Sequence, residues 1–186
     1  MDEIKTIEEK EFRNIASRLP FSHVMTEKDY LVTYLLYLIR DVKGIYFKGG
    51  TALSKMFLNH ARLSEDLDFT LAKEMSLVIA EIEGKLEGTF FKEITRDKQV
   101  EGFTRLVVHY KLFYGRGEIF IDLNGRAELL TKPERHEINH FYVEFIPEFS
   151  VWSLSKDEMV AEKIAASVIR NKPRDHFDIY TIIKNG

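Results

Sequence analysis

The chain has no cysteine among its 186 residues, which excludes disulfides, zinc sites built from thiolates and cysteine nucleophiles. No apolar run approaches the ~20 residues of a membrane-spanning helix, and the first residues have no signal-peptide pattern. We therefore expect a cytoplasmic protein with no membrane partner. None of the six histidines stands at metal-ligand spacing from another. Internal repeats and low-complexity segments are also missing from the sequence.

The chain has no excess of positive charge either. Its net charge of -3 gives no global attraction to nucleic acid, so any such binding requires a local patch. A composition of 45% hydrophobic and 31% charged residues is typical of a globular protein. The length suits one compact unit. We expect a core over residues 1–150 and a C-terminal helical segment, residues 151–186, packed on that core.

Residues 45–71 contain the strongest local pattern of the sequence. Ile45–Phe47 are apolar and β-prone, which predicts a short buried strand. A turn follows that consists of Lys48, Gly49, Gly50 and Thr51, and apolar residues at helical spacing then predict a helix from about Thr51. The free N–H groups and the positive dipole end of such a helix favour an anion. A Gly-Gly turn alone is usually only a turn.

A pair of aspartates follows this helix. The segment from Asp66 to Leu71 alternates strictly, so Asp66 and Asp68 project from the same face of a predicted strand. Two carboxylates in that position repel each other unless a cation lies between them, and their oxygens suit Mg²⁺ or Mn²⁺. A lone D-x-D on a strand is more often a solvated edge. Its position within about 20 residues of a phosphate-binding turn favours phosphoryl or nucleotidyl transfer.

These residues resemble a known family. K-G-G-T-A-L-S-K followed by R-L-S-E-D-L-D-F is similar to the first motif of the AbiEii/AbiGii toxin family of nucleotidyltransferases, which belongs to the DNA polymerase β-like superfamily and includes the MenT toxins. The resemblance implies an α+β fold, with a mixed, largely antiparallel sheet and helices packed on it. It also implies that Arg62 and Ser64 belong to the nucleotide site, where we expect them to hold the loop that aims the aspartates.

Three further residues near the turn allow more than one interpretation. Lys48 either faces a phosphate or is a strand-end cation in water. Thr51 is expected to cap the helix, and its hydroxyl is also within reach of a phosphate or the metal shell. Lys55 lies one turn further along, where a solvated side chain is expected.

The remaining pattern predicts helices and strands around this motif. We expect helices over residues 1–19, from Thr26 through the apolar segment Tyr30–Arg40, and over Lys73–Leu86. Strands are predicted at Phe90–Arg96, Thr104–Phe113, Glu118–Leu123 and Asn139–Ile146. Gly115–Gly117 indicates a hairpin, so the middle strands should be antiparallel.

Asp122 ends one of these predicted strands. In isolation, an acid before Asn124-Gly125 would most often begin the turn. The family resemblance instead implies a third carboxylate on a strand beside the D-x-D strand, and Asp122 is the candidate with that context. Its implied role is to complete the metal site with Asp66 and Asp68 and to accept the proton of the attacking hydroxyl.

The C-terminal segment contains a second group of polar residues. Ser155 and Glu158 form a capping box, which predicts a helix through Arg170. Its apolar stripe is expected to consist of Val160, Ala161, Ile164, Ala165, Val168 and Ile169. Lys163 and Arg170 lie together off that stripe, where a solvated pair is the ordinary expectation. A last helix should start near Asn171 or Pro173.

This segment also resembles the toxin family, in E-K-I-A-A-x-x-x-R and in K-P-R-D-H-F-D-I-Y. The resemblance implies that Lys163 contacts a phosphate or nucleotide and that Asp175 is a second essential acid in the nucleotide pocket. Arg174 and Asp178 are expected to tie the helices together. Family members often continue into a longer helical region, which we expect to help hold the acceptor.

The predicted activity is transfer of a nucleotide from an NTP to an acceptor hydroxyl, with Mg²⁺ (or Mn²⁺) on the three aspartates and the phosphates over Gly49, Gly50 and Thr51. The resemblance implies a toxin of a type IV-like toxin–antitoxin or abortive-infection system, with a cognate antitoxin and tRNA as acceptor. Lys132, Arg135, Lys172 and Arg174 are either a nucleic-acid path or ordinary surface cations. The alternatives are a protein-directed NMP-transferase or kinase, and a non-catalytic nucleotide- or partner-binding module.

Overall fold

The computed structural model describes residues 4–91, 93–126 and 128–185, without the side chains of residues 98 and 185. Residues 1–3 of the predicted N-terminal helix, residue 92 of a predicted strand and residue 186 lie outside this range. The helices are α1 (Glu9–Ala16), α2 (His23–Ile39), α3 (Gly49–Met56), α4 (Met75–Leu86), α5 (Lys156–Arg170) and α6 (Pro173–Asn185). The strands are β1 (Ile45–Lys48), β2 (Leu67–Leu71), β3 (Glu93–Val100), β4 (Phe103–Leu112), β5 (Gly115–Asn124), β6 (Glu134–Glu137) and β7 (Ser150–Ser153).

The strands form one mixed sheet in the order β3-β4-β5-β2-β1-β7-β6. The β1–β2, β3–β4, β4–β5 and β6–β7 pairs are antiparallel, whereas β2–β5 and β1–β7 are parallel. This confirms the predicted mixed, largely antiparallel sheet with helices packed on it. The pairing places β2 between β1 and β5, so the D-x-D strand lies in the middle of the sheet. The division of the chain at residue 150 stays a prediction.

One face of the central strands supplies the core. Phe47 and Phe69 are direct cross-strand partners on β1 and β2, with ring centroids 5.3 Å apart, and aromatic pairs of this kind stabilise a sheet. Leu67, Ile121 and Leu123 are fully buried on the same face. Because side chains alternate along a strand, burying these residues turns Asp68 and Asp122 to the opposite face. Core packing therefore fixes the direction of the site carboxylates.

Helix α2 is buried nearly all round, as the apolar segment Tyr30–Arg40 predicts. Leu31, Val32 and Leu35 are fully buried in it. The helix begins at His23, with the Ser22 hydroxyl accepting a hydrogen bond from the Met25 N–H, so the predicted start near Thr26 is three residues late. Helix α1 is likewise shorter than the predicted 1–19 helix. None of the described helices is both long and apolar enough to cross a membrane.

The predicted strand at Asn139–Ile146 is wrong. This segment has no ladder partner in the described structure and runs as an irregular loop with a turn at its end. The Asn139 N–H is bonded to the Lys55 carbonyl, and the fully buried Tyr142 side chain reaches α2. Tertiary hydrogen bonds thus replace a strand ladder here. The strand that forms just before this segment is β6 (Glu134–Glu137), where no strand was predicted.

Candidate active site

A row of four charged side chains crosses the centre of the sheet. Lys48 is the register partner of Asp68, Asp68 is that of Asp122, and Asp122 is that of Arg105, on four neighbouring strands. Directly opposite residues project from the same face, so the charges run cation, anion, anion, cation. Two like charges in direct opposition are destabilising. The flanking Lys48 and Arg105 reduce that cost, and all four residues line one cavity of about 540 Å³.

Asp66 lies on the same face, two residues before Asp68 and one residue before β2 begins. The Thr51 hydroxyl donates a hydrogen bond to the Asp66 carbonyl, which links helix α3 to this position. Burial, and then the charge of Asp122, raise the pKa of Asp66, although the Lys28 ammonium partly opposes this. Burial raises the pKa of Asp68 to about 6, with Asp122 and Asp66 adding to the effect. Burial and mutual repulsion therefore both disfavour the charged forms of Asp66 and Asp68.

The repulsion among these carboxylates bears on the expected divalent metal. Within the described ranges, no group of three or more acidic or histidine side chains is gathered closely enough to form a metal cage. Both oxygens of Asp122 accept hydrogen bonds from Arg105, at 2.7 and 2.6 Å. Even so, the donors are hard carboxylate oxygens whose mutual repulsion favours a cation, and this chemistry fits Mg²⁺ or Mn²⁺. Asp66, Asp68 and Asp122 are the residues that would hold it.

The glycine turn lies directly against the carboxylates. Gly49 has φ +81°, and a Cβ atom built there would lie 2.3 Å from Asp68 Oδ2. A Cβ atom at Gly50 would lie 2.6 Å from Arg62 Nη2. Position 49 therefore requires glycine for both its backbone conformation and its contact with Asp68, whereas a side chain at Gly50 would displace the Arg62 guanidinium. Helix α3 begins at Gly49, two residues earlier than predicted, so its first N–H groups border the cavity.

This earlier start changes the expected role of Thr51. The N-cap residue is Lys48, without a capping side chain, so the predicted Thr51 cap is wrong. Thr51 is only 1% exposed and is not among the residues that line the cavity. Its hydroxyl instead fixes the backbone at Asp66.

Lys48 is not a strand-end cation in open water. Its ammonium lies 2.7 Å from Glu162 Oε1 on α5, and its side chain is 13% exposed. Glu162 also lines the cavity, so this pair connects the glycine turn to the second helical wall of the site. Lys48 remains within the cavity lining, where a phosphate would meet it.

Lys163 is buried, contrary to the pattern of a solvated pair with Arg170. Its ammonium lies 3.1 Å from Asp175 Oδ1 and 3.0 Å from Asp178 Oδ2, and it also lines the cavity. Burial acts to raise the pKa of Asp175, but the hydrogen bond from Lys163 and the charges of Lys163, Arg170 and Arg174 outweigh it and lower that pKa. Asp175 itself is fully buried behind Lys163 and does not line the cavity.

Arg62 ties the loop before β2 to helix α6. Its guanidinium donates from Nε and Nη2 to the two oxygens of Asp178, both at 2.7 Å. Asp178 thus joins Arg62 and Lys163, as its predicted tying role requires, whereas Arg174 lines the cavity. Ser64 lines the same cavity beside Gly50. The Arg62–Asp178 pair is bidentate, which fixes orientation as well as position.

Sequence reasoning missed Arg105 and Glu162. Arg105 is a single cation on the predicted strand 104–113, and its significance follows from the register that places it opposite Asp122. Glu162 immediately precedes Lys163 in the E-K motif, so the motif contained a signal for it. The apolar stripe predicted for α5 is also wrong in direction: Ile164, Val168 and Ile169 are 50%, 79% and 82% exposed, while Met159 and Lys163 are buried. The helix faces the core with its polar side because the acidic side chains of α6 pair with Lys163.

Comparisons with known proteins agree with this geometry. The family model for the AbiEii nucleotidyl transferase toxin of type IV toxin–antitoxin systems matches residues 37–186. Among solved structures, JHP933 from Helicobacter pylori superposes with a TM-score of 0.68 and 19% identity, over 88% of this chain and 68% of that one. MenT4, a nucleotidyltransferase toxin from Mycobacterium tuberculosis H37Rv, gives a TM-score of 0.66 and 21% identity, over 86% of this chain and 59% of its own.

These low identities show a shared fold, and a search of curated proteins gives no significant match. The family match is of a different kind, because it extends over the glycine turn, the three aspartates and both C-terminal motifs. This chain belongs to the AbiEii family of nucleotidyltransferase toxins.

Proposed function

We propose that this protein transfers a nucleotide from an NTP to an acceptor hydroxyl in a Mg²⁺-dependent reaction, with tRNA as the first candidate acceptor. The observation that supports this most directly is the placement of Asp66, Asp68 and Asp122 on one sheet face beside the glycine turn at the start of α3. The family also implies a cognate antitoxin.

The triphosphate would lie at the N-terminus of α3. The N–H groups after Gly49 and the helix dipole attract its charge, and Lys48 and Lys163 flank the same cavity. Phe103, Ala165 and Ile169 also line the cavity, and the base would lie against these apolar side chains. The charged groups are held in place by Glu162, Asp175 and Asp178 before the substrate arrives, so little reorganisation is needed on binding.

In the transfer step, the acceptor oxygen forms a bond to the α-phosphorus while the bond from that phosphorus to the bridging oxygen of the β-phosphate breaks. Pyrophosphate leaves with that electron pair, and Asp122 takes the proton of the acceptor hydroxyl. Arg105 fixes the orientation of Asp122 through two hydrogen bonds. Bound Mg²⁺ or Mn²⁺ would supply charge neutralisation and Lewis acidity at the phosphates. Positioning and charge account for most of the expected acceleration.

The test uses the full chain with Mg²⁺, total RNA, cell proteins and each NTP labelled in turn at the α- or γ-phosphate. We expect α-label in RNA together with released pyrophosphate. Transfer of γ-label would identify a kinase, and α-label in protein would identify a protein-directed NMP-transferase. Nucleotide binding without any labelled product, at all four NTPs and with Mn²⁺ as well, would contradict the proposed transferase and indicate a binding module.

A further inference from the structure

The sheet face that holds the carboxylates continues beyond the nucleotide cavity. Along β5, the residues that alternate with the buried positions are Asp122, Phe120, Glu118 and Arg116, and therefore all lie on one face. Their register partners on β4 are Arg105, Val107, His109 and Lys111. Together with Lys28 and Phe90, most of these side chains border a shallow groove of about 1030 Å³.

The groove lies on the same sheet face as the cavity that contains the three carboxylates, and next to it. Arg105, which holds Asp122, lies with its guanidinium carbon 4.8 Å from the centre of the Phe120 ring. Asp122 lines the nucleotide cavity, and Phe120, two residues away on the same face, lines the groove. From Asp122 to Arg116 the strand rises about 20 Å. An extended chain that lies in the groove would thus reach the site with one end.

Two cations at the far end of the groove oppose each other. Lys111 and Arg116 are direct register partners on β4 and β5, and both are exposed. Among the residues that the structure describes, no carboxylate forms an ion pair with either of them. Like charges in direct opposition destabilise an antiparallel pair. A bound anion between the two side chains would remove that cost.

The carboxylates in the groove lie nearer its middle. Glu118 is 3.4 Å from His109, and Lys28 is paired with Glu65 beside the groove; Glu93 borders it on β3. The lining therefore combines aromatic rings with cations, and its unpaired cations lie at the end away from the site. Aromatic faces that stack bases and cations that follow a phosphate backbone are the usual combination for single-stranded nucleic acid.

We propose that this groove holds the single-stranded 3′ end of an RNA acceptor, with its terminal hydroxyl at Asp122, a base against Phe120 and backbone phosphates at Lys111 and Arg116. This inference rests on the proposed nucleotidyl transfer and adds the path by which the acceptor reaches the site. The path explains how a chain with net charge -3 binds RNA, since only a local pair of cations is needed.

The test measures binding of a fluorescent 12-nucleotide oligouridine with a free 3′ hydroxyl, by anisotropy over a series of salt concentrations. For Lys111→Gln/Arg116→Gln we expect at least about tenfold weaker binding, and a slope of log affinity against log salt that is smaller by about 1.4, because two phosphate contacts are lost. The matched control is Lys10→Gln/Arg18→Gln, which removes two exposed cations in and just after α1 and should bind as the wild type does. Equal weakening in both variants, or no binding by the wild type at 50 mM salt, would overturn the proposal.

Nucleotide binding separates this proposal from the proposed activity. The groove variant should bind each NTP with Mg²⁺ as the wild type does, while its transfer to RNA falls about tenfold at low RNA concentration. If the wild type transfers α-label only to protein, the RNA path is wrong although the chemistry stands. If the wild type transfers no label but the groove variant still loses oligouridine binding, the proposed nucleotidyl transfer is wrong, whereas the proposed RNA binding in the groove is supported.

Discussion

Lys55 and Lys163 are both buried lysines paired with aspartates, yet they differ in what surrounds the ammonium group. Lys55 is 1% exposed and lies 2.7 Å from Asp29 Oδ1 and 2.8 Å from the Thr33 hydroxyl. The Tyr142 hydroxyl donates to the second oxygen of Asp29 at 3.0 Å. The four side chains of this cluster are bonded to one another and link α3 to α2, although the neighbouring His60 and His140 have buried ring nitrogens without a hydrogen-bond partner in the described structure.

The Lys163 cluster is open on one side. Lys163 lines the cavity of the candidate active site, and its partner Asp175 has a buried Oδ2 with no hydrogen-bond partner within the described structure. A buried polar atom without a partner costs free energy. The first pair thus fixes the helix that presents the glycine turn, whereas the second borders the cavity in which we propose that the nucleotide binds.

The largest effect should come from Lys55→Met. This change leaves the Asp29 carboxylate buried without its charge partner, and we expect a loss of about 3–5 kcal/mol in the free energy of unfolding. Urea denaturation would measure it. The double variant Lys55→Met/Asp29→Asn removes both charges, keeps an acceptor for Tyr142, and should recover much of the loss. A loss below about 1 kcal/mol in the single variant would contradict the conclusion that Lys55, unlike Lys163, mainly stabilises the fold.

Lys163→Met should have the opposite balance of effects, with a smaller loss of stability and a large loss of activity. Asp178 keeps its two hydrogen bonds from Arg62, and Asp175 keeps the one from Arg170 at 3.0 Å, so the unfolding free energy should fall less than in Lys55→Met. Transfer activity should fall about 100-fold, because a preorganised cation at the phosphates is lost. Steady-state transfer rates and urea denaturation of the same sample test both parts. A variant as unstable as Lys55→Met with activity near wild type would break the comparison.

A smaller effect concerns pH, where the buried histidines beside Lys55 and the Asp68 carboxyl of the cavity should respond in opposite directions. Burial, and then the charge of Lys55, lower the pKa of both His60 and His140 to about 4. The unfolded chain therefore binds more protons than the folded one below about pH 6.5, and stability falls as the pH falls. At about 1.4 kcal/mol per pH unit, this amounts to up to about 2 kcal/mol per histidine by pH 5. The raised pKa of Asp68 opposes it, since a proton on Asp68 favours the folded state below about pH 6.

Urea denaturation at pH 7 and pH 5 measures this net loss. His60→Asn/His140→Gln should reduce the difference between the two pH values; asparagine suits residue 60 because its φ is +54°. The matched control is His176→Gln, which changes an exposed histidine on α6 and should leave the difference unchanged. A wild-type protein that is as stable at pH 5 as at pH 7 would contradict the burial of neutral histidines.

The difference between the two lysines also explains what could be predicted from the sequence. Strand alternation predicts Asp66 and Asp68 on one face, because alternation is a local periodicity. The place of Asp122 beside them depends on the pairing of β2 with β5, and before the structure only the family resemblance implied it. The partners of Lys55 and Lys163 come from other helices, so the sequence pattern predicts solvated cations at both positions. Arg105 depends on the register between β4 and β5, which is a tertiary property. The exposure of the apolar stripe of α5 is also a tertiary property, because the ion pairs between α5 and α6 decide which face of the helix is buried.

The most direct test of the account is the Asp68→Ala variant, measured for transfer of α-labelled nucleotide to RNA and for folding by urea denaturation. Removing this carboxylate deletes the central member of the row that Lys48 and Asp122 flank. We expect transfer to fall by at least about 1,000-fold, equivalent to about 4 kcal/mol of transition-state stabilisation, while unfolding remains cooperative and near the wild-type midpoint. A folded variant that keeps wild-type turnover would show that nucleotidyl transfer does not take place at these carboxylates.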